Sequence, residues 1–138
     1  MNRIIACYAV FFLSIPLLNG SAFGKGLNIE EIAQAIATQF NKDSWSLLDE
    51  MNVSAKAIAT GKNVRFEWVL RVKKGVSSQK LNEFSNETRS EVLPQACKKN
   101  ASSPAFSQGL YYTFSYSNTY GEKLAEFIVN QEECQKSH

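Results

Sequence analysis

Histidine is almost missing from this chain: the single one, His138, is the last residue. Terminal residues fray, so a Ser-His-Asp or Cys-His nucleophile arrangement would lack a positioned base, and hydrolase-type nucleophilic catalysis is not expected. Cys134 and His138 have the spacing of half a zinc site, but no second half exists, and no metal is expected. No glycine-rich phosphate cradle follows a predicted strand, which argues against nucleotide chemistry and leaves no cofactor to expect. The carboxylate pairs Asp49-Glu50 and Glu132-Glu133 are adjacent in sequence and therefore face different ways. They suit solubility better than acid-base work, and the chain reads as a non-enzyme. Charge of one sign is also lacking. The formal net charge is only +2, one less once Arg3 is removed with the leader described below, so neither nucleic acid nor an anionic membrane is implied as a partner.

What is present begins at the amino terminus. Arg3 is followed by an uncharged run, Ile4 to Gly24, rich in Ile, Val, Phe and Leu, with Pro16 inside it and a polar, small-residue exit at Asn19 to Gly24. This is the pattern of a secretory signal peptide, residues 1–24, with cleavage expected after Ala22 or Gly24. Ile4-Ile5-Ala6-Cys7 matches a lipoprotein cleavage site locally, yet the apolar run lies after Cys7 rather than before it. The mature protein is therefore expected to be periplasmic and to carry no membrane anchor. Export leaves Cys97 and Cys134 as an even pair in an oxidising compartment, and one structural disulfide between them is expected. No Cys-x-x-Cys motif suggests a redox role.

Residues 25–138 make one domain's worth of chain. Asn28 with Glu31 resembles a capping box, and Ile29, Ile32, Ala33, Ile36 and Phe40 recur at helical spacing, predicting a helix over 29–41. Alternation then takes over: Met51, Val53, Ala55 and Ala57 share one face, Thr60-Gly61-Lys62-Asn63 marks a turn, and Val64, Phe66, Trp68, Leu70 and Val72 continue. That is a hairpin. Ser77-Ser78 can cap a second helix carrying Leu81, Phe84, Thr88 and Val92 on one stripe, with Pro94 disturbing its last turns and Cys97 near its end. After a loop over Lys98 to Ser107, Leu110, Tyr112, Phe114 and Tyr116 alternate. A turn at Asn118 to Gly121 follows, and a last strand with Ala125, Phe127 and Val129 on one face runs out at Cys134. The expected architecture is α+β, helix-hairpin-helix-hairpin, with an antiparallel four-stranded sheet covered on one face by helices.

The aromatic residues Tyr111, Tyr112, Phe114, Tyr116 and Tyr120 crowd the second hairpin, and Trp68 sits mid-strand in the first. Most belong to a core. A one-layer sheet has a second face, however, and Tyr111 with Val69 and Ile128 is expected to form a partly exposed apolar strip able to take a partner helix or strand, with Trp68 as a further candidate anchor. The sequons at Asn52, Asn86 and Asn100 read as coincidence.

The run from Leu93 to Cys134 joins a cysteine late in a helix, a polar loop, Gly109-Leu110-Tyr111-Tyr112-Thr113-Phe114, a turn at Gly121 and a strand closing at Gln131-Glu132-Glu133-Cys134. In this it resembles the AspS-type pilotins of bacterial type II secretion, and the hairpin and helix from Met51 to Glu91 fit that pattern in order and length. The resemblance implies a domain that binds a short helix of a secretin subunit. Pilotins of this type carry a lipid on the mature amino-terminal cysteine, which this chain lacks, so the implied role is a soluble periplasmic binding module for an envelope or secretion component. A periplasmic inhibitor or immunity-type protein, blocking an enzyme or toxin, is the alternative reading of the same small disulfide-closed format.

Overall fold

The computed structural model describes residues 27–100 and 103–136, so the expected leader, its cleavage point, Cys7 and His138 lie outside the described residues. Helix α1 spans Ile29–Asp43 and is followed by a 3-10 turn at Ser44–Leu47; strands β1 (Asn52–Thr60) and β2 (Asn63–Leu70) come next. Helix α2 (Ser78–Asn100), the short helix α3 (Pro104–Ser107), strands β3 (Tyr111–Asn118) and β4 (Lys123–Val129) and helix α4 (Gln131–Lys136) complete the order.

Local chemistry sets the element starts. The Asn28 side chain accepts from the Glu31 amide at 2.8 Å and donates to the Glu31 carboxylate at 3.0 Å, tying down the first turn of α1. Gly61 has φ 59, and among the described residues none other than glycine has a positive φ, so Thr60-Gly61-Lys62-Asn63 turns with glycine at the first central position, as a type II′ hairpin requires. Ser77 caps α2 through its Oγ, which accepts from the Lys80 amide at 3.3 Å.

The four strands form one sheet in the order β1-β2-β3-β4, and the sheet is mixed. β1 and β2 pair antiparallel, as do β3 and β4, but the central pair, β2 with β3, is parallel. This corrects the all-antiparallel expectation. A single long helix between the two strand pairs carries the chain back to the end where β2 began, so β3 must leave in the same direction as β2.

One face of the sheet is the core. Rows across it read Ala57, Phe66, Phe114, Phe127 and Ala55, Trp68, Tyr116, Ala125. Helix α1 covers β1 and β2, while α2 covers β4. Ring contacts run across the span: Phe40 of α1 meets Trp68 at 5.8 Å, Trp68 stacks on Tyr116 at 6.4 Å, and Tyr116 meets Phe84 of α2 at 6.1 Å. Cys97 and Cys134 are joined, which fastens α4 to the end of α2, and Arg89 adds an ion pair to Glu133 at 2.7 Å.

Pro94 lies inside α2, which ends at Asn100, three residues past Cys97; the Gln95 side chain donates to the Glu91 carbonyl at 3.0 Å in the turn that proline disturbs. Three local expectations are corrected. Part of the expected loop after Lys98 is α3, capped by Ser103 and opened by Pro104. The last strand stops at Val129, because Asn130 caps α4 by accepting from the Glu133 amide at 2.7 Å. At the start of β1 a register irregularity between Asn52 and Ser54 turns Asn52 inward at 1 % exposure, where alternation placed Val53.

Candidate functional site

The face of the sheet away from the helices holds the chemistry that remains accessible. Register assigns its rows: Ile58, Arg65, Thr113, Ile128; then Lys56, Glu67, Ser115, Glu126; then Ser54, Val69, Ser117, Lys123. Arg65 is the hub. Its Nη2 donates to Glu126 Oε2 at 3.0 Å and to Ser115 Oγ at 3.1 Å, reaching over β3, and its Nε lies 3.4 Å from Glu67 Oε2. Lys56 extends the chain of charge to Glu67 at 3.6 Å and Lys123 extends it to Glu126 at 3.0 Å.

These contacts move protonation at Arg65 and Glu126 in the sense that holds both charged. The hydrogen bond from Arg65, with a second from Lys123, lowers the Glu126 carboxyl below its ordinary value, and Glu126 in turn raises the Arg65 guanidinium. The pairs are roughly one-third exposed, and such pairs contribute only about 0–1 kcal/mol each. Their consequence is geometric: five alternating charges set a fixed pattern on an open sheet.

The expected strip of Tyr111, Val69 and Ile128 is not continuous. Tyr111 stands opposite Asn63 and is a diagonal neighbour of Ile128, whereas Val69 stands opposite Ser117, roughly 20 Å farther along the strands. The row of Lys56, Glu67 and Glu126 lies between them. Trp68 does not belong to this face at all. It alternates with Val69, is 3 % exposed and lies among the core rings, which corrects its candidacy as an exposed anchor. Ile128 is 46 % exposed.

The strip omitted Ile58, which ends the same row as Ile128 on the opposite edge strand and is also exposed. Continuing the strand alternation outward from Lys56 would have found it. Trp45, 74 % exposed on the 3-10 turn beside exposed Leu48, was also passed over, since its polar surroundings carry no period. Elsewhere, Val76, Leu81, Asn118, Glu122, Lys123 and Leu124 line a cleft of about 90 Å³ where the loop before α2 meets the β3–β4 turn. Glu122 accepts there from Asn118 Nδ2 at 2.9 Å and from the Gly75 amide at 3.1 Å, which lowers its carboxyl.

Among the described residues no cluster of three or more histidine, cysteine, aspartate or glutamate side chains is placed to hold a metal ion, and no helix is long and apolar enough to cross a membrane. Of the sequon asparagines, Asn52 and Asn100 are each 1 % exposed, so neither can take a glycan in the folded domain, while Asn86 is exposed on α2. No family model matches the chain, and neither a curated protein nor a solved structure does.

Proposed function

We propose that this chain is an exported, soluble periplasmic protein-binding module that takes a segment of an envelope or secretion-complex protein on the open face of its sheet. The observation that carries the reading is the row Ile58, Arg65, Thr113, Ile128: two exposed isoleucines flank a guanidinium held in place by Glu126 and Ser115. Exposed apolar side chains around a fixed charge are what a recognition surface needs, the first for affinity and the second for register. The other face, covered by helices, is committed to the core, which leaves this one for a partner. The pilotin resemblance agrees with a binding role and supplies its class of partner, a secretin-like subunit.

The test is capture from an envelope extract by the wild-type protein and by Ile128→Asp and Ile58→Asp variants, each with its melting curve. A partner recovered by wild type and lost by both variants at unchanged Tm supports the reading. Capture that survives both substitutions removes the sheet face from it, and a captured hydrolase or toxin that loses activity in the complex moves the reading to an inhibitor.

A further inference from the structure

The two edges of the sheet are unlike, and their peptide groups can be followed strand by strand. On β1, Ala57 turns its N–H and C=O away from β2, because both are taken by the side chain of Asn41 from α1: Nδ2 donates to the Ala57 carbonyl at 2.8 Å and Oδ1 accepts from its N–H at 2.7 Å. A helix side chain thus occupies the position of a fifth strand, which closes that edge to pairing at its middle.

The other edge has no such plug among the described residues. The Tyr111 amide donates to the Lys62 carbonyl at 3.0 Å, so odd-numbered residues of β3 turn their peptide groups to β2 and even-numbered ones to β4. Tyr112, Phe114 and Tyr116 therefore meet Val129, Phe127 and Ala125 in the hydrogen-bonded pairs of an antiparallel ladder. By alternation, the N–H and C=O groups of Glu126 and Ile128 point outward from β4. The disulfide and the Arg89–Glu133 pair hold α4 against α2, which itself packs on β4.

We infer that the outer edge of β4 accepts an extended segment of a partner protein, paired antiparallel to Glu126 and Ile128, with a basic residue opposite Glu126 and an apolar one opposite Ile128. Both assignments follow from the rows: Arg65 and Lys123 both bond Oε2 of Glu126, which leaves Oε1 for a basic residue of the new strand, and the row Ile58, Arg65, Thr113, Ile128 would gain an apolar neighbour. A second copy of this chain is a poor occupant. The antiparallel register that overlaps all of β4 with a copy of itself sets Glu126 against Glu126, and the next sets it against Ile128, the first repelling and the second leaving a carboxylate over an apolar side chain. This inference rests on the recognition reading above and, of the helix or strand expected there, names the strand.

Amide hydrogen exchange read residue by residue tests it on the purified protein. In the free protein Phe127 and Val129 should exchange slowly and Glu126 and Ile128 fast. The probe is the capped heptapeptide Thr-Thr-Val-Thr-Lys-Thr-Thr, with a second in which glutamate replaces lysine. At saturation the first should slow exchange at Glu126 and Ile128 by about ten-fold or more, and the second should bind more weakly. Ile128→Pro removes the outward N–H without touching the bonds to β3, and should abolish binding while Ile128→Val retains it. Unchanged exchange at both amides under the lysine peptide overturns the inference, as does wild-type affinity in a folded Ile128→Pro variant; if that variant does not fold, the exchange result decides. An envelope partner that binds without slowing these two amides leaves the recognition reading standing and removes the edge. Edge protection by the peptide with no envelope partner does the reverse.

Discussion

Asn41 and Ala57 are held together as two strands would be, through a 2.8 Å bond to the Ala57 carbonyl and a 2.7 Å bond from its amide. The pair ties the end of α1 to the sheet edge and satisfies a peptide group that would otherwise seek a partner outside the molecule. Asn41→Ala should lower stability by about 1–3 kcal/mol, from two lost hydrogen bonds at a part-buried edge. It should also increase self-association. Urea titration checks the first, and light scattering over a concentration series checks the second; a variant that is destabilised yet strictly monomeric would show that the plug serves only to hold α1.

Cys97 and Cys134 close a loop with a sequence separation of 37. On the chain-entropy estimate, removing the bond as a double serine variant should cost about 4 kcal/mol. Both sulfurs lie in buried residues, so the native protein should resist mild reductant and react only on unfolding. Thiol counting by mass before and after alkylation, with and without urea, measures this; two free thiols in the native protein would contradict it.

Glu126 carries a carboxyl lowered from an ordinary value of 4.5, first by Arg65 and then by Lys123. A depressed folded-state value stabilises the protein above the unfolded value, and that contribution disappears as pH falls through the folded one. Stability should therefore drop as pH is taken below about 4.5. Glu126→Gln should make that part of the acid slope shallower, and so should Arg65→Met. Denaturation midpoints at several pH values and at low and high salt read both effects, and an unchanged slope in Glu126→Gln would assign the acid sensitivity to other carboxylates.

The two tryptophans sit in opposite surroundings, Trp45 74 % exposed and Trp68 3 % exposed. Emission from Trp45→Phe should be blue-shifted and hard to quench with acrylamide, and emission from Trp68→Phe red-shifted and easily quenched. Trp68→Ala should cost about 3–5 kcal/mol of folding stability. Tyr112 and Tyr116 belong to the same core, where burial raises both phenols, helped at Tyr116 by Glu91; alkaline titration should leave them un-ionised until the fold is lost.

Much of this arrangement was legible in residues whose signals are local. Asn28 with Glu31 and glycine at position 61 each named an element's start or turn, the alternation from Val64 to Leu70 named a strand and its inward face, and the pairing of Cys97 with Cys134 followed from parity and the expectation of export. Direction and register were not. Whether β3 lies parallel to β2 depends on how many times the intervening chain crosses the domain, a long-range property absent from any window of residues. The strip of Tyr111, Val69 and Ile128 failed for the same reason: each residue was correctly assigned to the outer face, but only register tells how far apart they lie. Other misses had a readable signal. Asn130 precedes Glu133 as Asn28 precedes Glu31, and the same spacing that announced α1 announces α4.

The parallel central pair has a consequence for how the molecule comes to exist. Each hairpin can close within its own short stretch of chain, but Asn63 meets Tyr111 only after everything between them has been brought back across the domain. The entropy of that closure is spent before the stacked rings of Trp68 and Tyr116 can repay it, so the joining of the two halves should limit the folding rate. Until it happens, each half exposes one flank of an aromatic core that only the other can cover. A chain released in pieces, or stalled before α2 docks, is therefore adhesive in a way the finished domain is not.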